Sequence, residues 1–501
     1  MHIETVSNLE KRKEADALVI PFWKSKKGFE AACELGNLKK SLHLSLVSHD
    51  FTGKDGETLW VYADLPEEKR FLLVGLGESE KLTQEKLRRA FGAAAKACMH
   101  KKAKNVNLIL PQSDLLSQDT VAKSVCEGFF SANYSFDALK NDTLSERKYA
   151  FIEKVTLISD EPKEALLQAN HTLKIMKGVF LARDLTNGNA DDVTPKFLAE
   201  TAKKLSKSYP AIKTTVYDKK WIQKKGMGLY LAVAQGAVFE PYFIIAKYEG
   251  NPSSKDHTVL IGKGITFDTG GLHLKSQGGA WGIETQKTDM AGAALVLGVL
   301  QAIAALDLPI NVTCIIPAAE NAIGSHAYKP GDVYKGYSGK TVEILSTDAE
   351  GRLTLADALA FTVKEIRPSR IIDFATLTGS VIVGLGHEIF GIVSNSEMLT
   401  QEILHAGQRT SEKGWELPFH EDYKELLKSD VADLKNVAGR EGGAINAGLF
   451  LHEFVGNTPW AHCDIAGVAT AKDCKHYLPK GATGIGVRLM VDFFEHLCQK
   501  E

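Results

Sequence analysis

Short apolar runs alternate with helical segments along almost the whole chain, and this alternation restricts its fold more than any other feature. Residues 84–100 carry apolar side chains at helical spacing. Strand-like runs of the first third lie at residues 17–21, 59–61, 71–75, 106–110 and 155–158. Strands and helices that follow each other in this way predict an α/β architecture.

The pattern changes near residue 160. Pro162 can begin a helix, and the helical pattern continues until Asn187 and Gly188 end it. Further strand-like runs lie at 258–262, 312–317, 341–345, 370–377 and 460–466, and helices are predicted at 291–306, 354–366 and 445–455. Short buried strands favour a central mixed or parallel sheet flanked by helices.

Length supports a division into domains, because 501 residues exceed what one hydrophobic core usually holds. We predict a small N-terminal α/β domain at 1–159 and a linking helix at 160–188. A larger C-terminal domain with the central mixed sheet would occupy 189–501.

Composition excludes several classes of protein. The formal net charge is -2 and charged residues make up 24% of the chain, which gives no signal for nucleic-acid binding. Apolar stretches such as 381–385 are far shorter than the roughly 20 residues of a membrane-spanning helix. Residues 1–22 lack the features of a signal peptide. These patterns predict a cytoplasmic protein with no membrane span.

Four well-known motifs fail on spacing. Phe267 stands where a dinucleotide-binding G-x-G-x-x-G needs its third glycine, and Tyr334 stands where a P-loop needs its first. Gly391 and Gly456 replace the second histidine of two possible H-E-x-x-H zinc helices. No G-x-S-x-G supports a serine nucleophile.

Charged residues follow two of the predicted strands and precede one predicted helix. They lie after 258–262, before 291–306 and after 341–345, and each group alone has a simpler explanation as a solvated turn, a helix cap or a capped turn with an ion pair. Ligand sites of α/β sheets lie at the carboxyl ends of strands, so we expect the groups to meet on one rim of one sheet. The residues concerned are Lys263, Asp268, Asp289, Asp348, Glu350 and Arg352.

Four carboxylates in one place predict a metal site. Clustered carboxylates stay ionised only beside compensating cations, and an oxygen-rich set without Cys or His suits Mn²⁺ or Mg²⁺ and can hold Zn²⁺. Two divalent ions about 3.5 to 4 Å apart can convert a bridging water into a hydroxide nucleophile. The cluster therefore predicts a two-metal hydrolase.

Three segments of this region resemble the signatures of the leucyl aminopeptidase family, the cytosol aminopeptidases. They are 262–271 (GKGITFDTGG), 289–294 (DMAGAA) and 347–353 (TDAEGRL), and the last is highly specific. Similar agreement is found at 328–333 (YKPGDV), 373–379 (DFATLTG) and 460–467 (WAHCDIAG). The resemblance covers most of the chain after about Arg183, and it makes 189–501 the expected catalytic domain.

The resemblance implies a role for each ligand of two metal ions. Asp268 and Glu350 would bridge both ions, Lys263 and Asp289 would complete one site, and Asp348 would complete the other. Lys263 would bind as a neutral amine, which two adjacent dications make plausible by lowering its pKa.

Two further residues are implied to act in catalysis. Lys275 would stay protonated and stabilise the oxyanion of the tetrahedral intermediate. Arg352 would hold bicarbonate, the proposed proton relay, through the planar array of N–H donors on its guanidinium group. The substrate's free α-amino group would bind one metal directly.

The substrate pocket is where this chain departs from the family pattern. The carbonyl of Leu377 would accept a hydrogen bond from the substrate, and Thr376 and Gly379 belong to the same segment. Ser346 replaces the usual asparagine, and Gln286 replaces an apolar residue of the side-chain pocket, so the preferred amino acid can differ from leucine. The segment 275–289, which includes Gly278, Gly279 and Trp281, is a few residues longer than usual.

The resemblance implies a Mn²⁺- or Zn²⁺-dependent aminopeptidase that releases unblocked N-terminal residues from short peptides. Family members form hexamers with sites that face the interior. Two alternatives remain at this level. A two-metal phosphoesterase could use the same carboxylates, and a DNA-binding or architectural protein would show salt-dependent binding to DNA.

Overall fold

The structure is a computed structural model that describes residues 1–47, 49–278 and 282–499. The chain divides into two compact units, Met1–Met176 with Lys472–Lys480 and Lys177–Ala471 with Gly481–Glu501. Gly279 and Trp281, which the sequence places in a lengthened loop, lie outside the described residues. The α/β fold class is confirmed, whereas the domain boundaries at 159/160 and 188/189 stay predictions.

The first unit is built on a largely parallel sheet. Its described strands are β1 (His2–Val6), β2 (Ala17–Ser25), β3 (Gly28–Ala31), β4 (Thr58–Tyr62), β5 (Arg70–Gly75), β6 (Asn105–Ile109) and β7 (Lys154–Ile158). Their order is β1-β7-β6-β2-β5-β4, with β3 paired to β2. Only β3 and β4 run antiparallel to their neighbours within this part of the structure.

The helices of this unit are α1 (Leu38–Ser41), α2 (Gln84–His100), α3 (Gln118–Ala132) and the first part of α4 (Pro162–Asn187). Among them, α2 packs against β4 and β5 and against α3. The bounds of α2 and the end of α4 at Asn187 match the sequence prediction. One side of the sheet buries a cluster that includes Leu18, Ile20, Phe22, Phe71 and Leu73, which alternate along β2 and β5 as a strand requires.

The second unit contains a larger mixed sheet. The strands of the whole unit, among the described residues, are β8 (Ile212–Tyr217), β9 (Tyr242–Glu249), β10 (Thr258–Gly262), β11 (Gly264–Asp268), β12 (Asn311–Asn321), β13 (Val333–Lys335), β14 (Thr341–Glu343), β15 (Arg370–Ala375), β16 (Phe390–Ser394), β17 (Gly414–Glu416), β18 (Leu434–Lys435), β19 (Trp460–Asp464), β20 (Thr470–Ala471) and β21 (Gly481–Ala482).

Parallel strands occupy the centre of the large sheet. Its order is β17-β16-β19-β15-β10-β12-β9-β8, with β11 paired to β12. The pairs β19-β15, β15-β10 and β10-β12 are parallel, and β9 and β16 pair antiparallel with β12 and β19. Every residue of β10 and β19 is buried, as expected for strands covered on both faces.

Helices pack on both faces of this sheet. They are α5 (Pro195–Ser208), α6 (Lys219–Lys225), α7 (Gly228–Ala234), α8 (Ala291–Leu306), α9 (Gly351–Phe361), α10 (Gly379–Leu385), α11 (Glu397–Thr410), α12 (Gly443–His452) and α13 (Val487–Cys498). Val259 and Ile261 of β10 join Leu353 and Leu355 of α9 in one buried cluster.

One helical segment, Ile283–Leu306, is long and apolar enough to cross a membrane by length and composition. The prediction that apolar runs are all short was therefore wrong here. Of the 18 most apolar consecutive residues in this segment, 83% are buried inside the protein. A helix that is apolar on every side is typical of a core helix as well as of a membrane span, and burial of α8 against the sheet and α13 explains its composition.

Two predictions about the strands around the charged residues were wrong. Residues 264–268 form the strand β11 rather than a glycine-rich loop, because they pair with β12 across a register shift. The strand β14 belongs to a separate three-stranded sheet, β13-β14-β18, rather than to the central one. The strand that precedes Asp348 and Glu350 is therefore not a strand of the central sheet, so these two acids do not follow the carboxyl end of a central strand.

Candidate metal centre

Lys263 is the single residue between β10 and β11, and its backbone is held on both sides. Its N–H donates to the carbonyl of Phe374 on β15 (3.0 Å), and its carbonyl accepts from Ala293 on α8 (2.9 Å). A Cβ atom on Gly351 would lie 2.4 Å from Lys263 Cε. A glycine at position 351 is therefore what lets the lysine side chain pass the start of α9.

Four carboxylates meet around this lysine. Asp268 ends β11, Asp289 precedes α8, and Asp348 and Glu350 precede α9. Carboxylate oxygens of Asp268, Asp348 and Glu350 all lie within 4.8 Å of one another. Asp268, Asp289 and Glu350 are buried, and the Asp348 side chain is 37% exposed. The predicted convergence of these residues is therefore observed.

Each of the two lysines contacts a different pair of acids. Lys263 Nζ lies 2.8 Å from Asp289 Oδ2 and 2.8 Å from Glu350 Oε1. Lys275 Nζ lies 2.9 Å from Asp268 Oδ2 and 2.5 Å from Asp348 Oδ1. The lysine side chains are 3% and 16% exposed, so the contacts of Lys263 are shielded from water, whereas Lys275 meets an Asp348 side chain that is 37% exposed.

Two of the acidic oxygens lack a hydrogen bond. Asp289 Oδ2 and Glu350 Oε1 are buried and have no hydrogen-bond partner among the described residues, although the Lys263 ammonium is close to both. Lys263 directs its N–H bonds to Asp289 Oδ1 (2.8 Å) and to the carbonyl of Thr376 (2.9 Å). Both oxygens thus rely on the charge of one shared ammonium, and buried carboxylate oxygens of this kind fit a site whose acids bind a cation.

Burial and mutual repulsion shift the pKa values of the acids. Burial, reinforced by Glu350 and Asp289, raises the pKa of Asp268 well above its usual range. Burial also raises the pKa of Asp289 to about 7 and raises that of Asp348. For Glu350 burial acts in the same direction, but Lys263 and Lys275 outweigh it and lower the pKa.

The two lysines respond in the opposite direction. Burial lowers the pKa of Lys263, but the carboxylates of Asp289, Glu350 and Asp268 outweigh burial and raise it above the usual range. The same balance raises the pKa of Lys275. Divalent cations bound among the four acids would offset the burial and the mutual repulsion and would favour the ionised carboxylates.

Arg352 lies on the first turn of α9 and is buried. Its Nη1 donates to the carbonyl of Asn436 (2.8 Å), and its Nε has no hydrogen-bond partner among the described residues. Burial lowers the pKa of Arg352 to about 10, so the guanidinium stays charged near neutral pH. A fixed cation with a free donor is suited to a small anion.

Three predicted substrate residues lie in the segment that follows β15, and Thr376 among them contacts the acidic cluster. Thr376 donates from Oγ1 to Asp289 Oδ1 (2.7 Å). Leu377 donates from its N–H to Asp464 Oδ1 (3.0 Å). Gly379 begins α10 and lines a cavity of about 670 Å³ with Val381 and other residues.

The other two predicted substrate residues differ in position. Ser346 accepts the N–H of Asp348 on Oγ (3.3 Å), so it lies beside a predicted metal ligand. Gln286 lies in a 3-10 helix, Ile283–Thr288, and its side chain donates to Thr285 Oγ1 (3.3 Å). Its amide is therefore directed along its own helix, and within the described residues it makes no hydrogen bond to the acids.

The simpler explanations of two acids were wrong. Asp289 does not cap α8, because Met290 holds the cap position without a side-chain hydrogen bond. The Asp289 carboxylate instead contacts Lys263 and Thr376. Glu350 is 2% exposed, so this acid does not lie on the surface, whereas Asp348 two residues earlier lies in a turn and is 37% exposed.

Three residues at the site were missed from the sequence. Asn321 donates to Asp268 Oδ1, Asn436 holds the segment at Ser346 as well as Arg352, and Asp464 holds Leu377. Asp464 lies inside the strand predicted at 460–466 and in the segment 460–467 that resembles the family, and that position was the available signal. Asn321 lies beyond the predicted end of its strand at 317, so no sequence signal singled it out.

Comparison with known proteins agrees with this geometry. The model of the cytosol aminopeptidase family's catalytic domain matches residues 180–491, and that of its N-terminal domain matches residues 19–143. A probable cytosol aminopeptidase of Protochlamydia amoebophila is 48% identical over 498 residues, which cover 99% of each chain.

Two solved structures share the fold over nearly their full length. A point mutant of tomato leucine aminopeptidase has a TM-score of 0.86 and 32% identity, and the match covers 99% of this chain and 96% of that one. The bottromycin maturation enzyme BotP in complex with Mn has a TM-score of 0.84 and 28% identity, with 97% and 100% covered. The chain therefore belongs to the cytosol aminopeptidase family and is a metal-dependent aminopeptidase, a hydrolase that acts on peptides.

Proposed function

We propose that this aminopeptidase binds two divalent ions in the acidic cluster. The observation that carries the proposal is the approach of Asp268, Asp348 and Glu350 oxygens to within 4.8 Å of one another. Asp268 and Glu350 would contact both ions, Asp289 and Lys263 would complete one site, and Asp348 would complete the other. Divalent ions so held supply a Lewis acid for the scissile carbonyl and an acidified water.

Lys263 and Lys275 would take different protonation states. Lys263 would have to lose its proton to coordinate, which cations in contact with it favour. Lys275 contacts Asp268 and Asp348 from the more exposed side, and its raised pKa keeps it an ammonium. A charged donor there would stabilise the oxyanion that develops on the scissile carbonyl.

Arg352 would hold an anion, with bicarbonate as our candidate. The contact of its Nη1 with the Asn436 carbonyl fixes the guanidinium plane, and Nε, which has no hydrogen-bond partner in the described part of the chain, supports a further acceptor. An anion held by Arg352 would supply a proton acceptor for general acid–base chemistry beside the acidic cluster.

The substrates we propose are short peptides with a free amino terminus. The carbonyl of Leu377 would accept a hydrogen bond from the bound peptide, and Thr376 and Gly379 would line the site. Gln286 and Ser346 would tune the preferred side chain, so leucine is one candidate among others. Mn²⁺ and Zn²⁺ are the candidate ions, because oxygen ligands with one amine suit both.

We propose a cytoplasmic location and a homohexameric assembly. Support for the location comes from relatives that are named as cytosol aminopeptidases. A role in intracellular peptide turnover follows from that location and from the substrate class.

One assay tests the proposal. A dipeptide amide with a free amino terminus is compared with its N-acetylated twin, each with and without a chelator. We expect cleavage of the free peptide alone, lost in chelator and restored by Mn²⁺ or Zn²⁺. Equal cleavage of both peptides would contradict an aminopeptidase with this site. A phosphodiester substrate is tested in the same assay, and we expect it to stay uncleaved, which distinguishes the aminopeptidase from a two-metal phosphoesterase.

A further inference from the structure

Asn321 is the last residue of β12, and its side chain contacts Asp268 of the acidic cluster. Its side chain is fully buried. Nδ2 donates one hydrogen bond to Asp268 Oδ1 (2.7 Å) and another to the carbonyl of Thr347 (3.0 Å). A primary amide has two N–H donors, so one group joins the end of β11 to the segment that carries Asp348 and Glu350.

The orientation of this amide is set by its neighbours. If it were flipped, Oδ1 would face the Asp268 carboxylate and the Thr347 carbonyl, which are both acceptors. In the observed orientation Oδ1 has no hydrogen-bond partner among the described residues. Leaving this buried acceptor unsatisfied costs free energy, and the two hydrogen bonds that Nδ2 donates offset that cost.

The hydrogen bond from Asn321 fixes the rotation of the Asp268 carboxylate. Oδ1 also accepts the N–H of Gly270 (2.8 Å), so two protein donors hold this oxygen. Oδ2 is left on the side of Lys275, 2.9 Å from its ammonium. One carboxylate oxygen is thereby turned toward the place where cations are expected.

Thr347 gives the second half of the argument. Its carbonyl accepts from Tyr328 Oη (2.7 Å) as well as from Asn321. Within the described part of the chain Tyr328 therefore supports the same segment with no hydrogen bond to Asp268, which makes it a matched control for Asn321.

We infer that Asn321 is a positioning residue for the metal centre, which sets the rotation of Asp268 and its register with the Thr347 segment. The inference rests on the proposed two-metal function. Residues that hold metal ligands typically contribute about 10- to 100-fold to metal affinity, and a residue that holds a shared ligand should affect both ions.

Asn321→Leu tests this inference, because it keeps a similar shape and removes both donors. Its backbone carbonyl, which accepts from Thr269, is retained. Metal content is measured by elemental analysis, and dissociation constants for Mn²⁺ are measured by competition with a chelator. We expect both ions to bind about 10- to 100-fold more weakly, and Tyr328→Phe to stay within about threefold of the native value.

Three outcomes would overturn the inference. Native Mn²⁺ affinity in Asn321→Leu would do so, and so would an equal loss in Tyr328→Phe, since that assigns the effect to the Thr347 carbonyl. Asn321→Ala replaces the leucine variant if circular dichroism shows the latter unfolded, and native affinity in that variant is equally contrary. If the unaltered enzyme itself binds no divalent ion, the proposed function fails instead.

Discussion

Lys263 and Lys275 lie in the same group of acids but differ in their surroundings. Lys263 is held between two strands and contacts Asp289, Glu350 and the Thr376 carbonyl. Lys275 lies in the loop after β11 and has a more exposed side chain. Burial and a fixed backbone suit a ligand, whereas partial exposure leaves an ammonium able to meet a substrate.

Two substitutions should separate ligand from catalyst at the residue scale. Asp268→Ala removes a carboxylate from the cluster, so we expect loss of bound metal and of activity. Arg352→Ala leaves the carboxylates in place, so we expect retained metal and a fall in kcat of roughly 100-fold, in the range of a general acid–base contribution.

Elemental analysis and steady-state kinetics on the same preparations check both variants. An Asp268→Ala enzyme that holds two ions would contradict the ligand assignment. An Arg352→Ala enzyme with native kcat would remove the arginine from the mechanism, and added bicarbonate gives a second readout on that variant.

At the scale of elements, α9 concentrates much of the site in one place. Glu350 precedes its first residue, and Arg352 lies on its first turn. Further along, Asp357 accepts the N–H groups of Tyr230 (2.9 Å) and Tyr337 (2.7 Å). Those bonds anchor the helix to neighbouring segments, so its first turn is presented to the cluster from a fixed support.

Gly351→Ala should disturb the site without weakening α9. An added Cβ would lie 2.4 Å from Lys263 Cε, so the lysine must move away from Asp289 and Glu350. Alanine favours helices over glycine by about 0.5–1 kcal/mol, so the helix itself should not suffer. We expect a folded protein with weakened metal binding.

Gly384→Ala is the matched control in α10, because an added Cβ there meets nothing within 4 Å. Both variants are compared by circular dichroism and elemental analysis. Equal metal content in the two would show that the Gly351 contact does not constrain Lys263.

At the scale of the whole molecule, the proposed assembly can be measured directly. Analytical ultracentrifugation of the 54.7 kDa chain should give a mass about six times larger, because a homohexamer is what the family resemblance implies. A single species at the mass of one chain would contradict the hexamer, while the proposed chemistry of each subunit would stand.

Much of the architecture could be predicted because it depends on local pattern. Apolar periodicity placed α2, α8 and β10 at their observed bounds. Periodicity failed where pairing decides structure: β11 exists because residues 264–268 meet β12, and β14 joins a separate sheet through β13 and β18.

The sequence by itself determined which residues form the acidic cluster and in what order they follow along the chain. These residues are Lys263, Asp268, Asp289, Asp348 and Glu350. Only the tertiary structure decided which oxygens face one another and that Asn321 holds Asp268. The physical reason is that hydrogen bonds between residues 53 positions apart depend on how strands are brought together, and no local pattern records that distance.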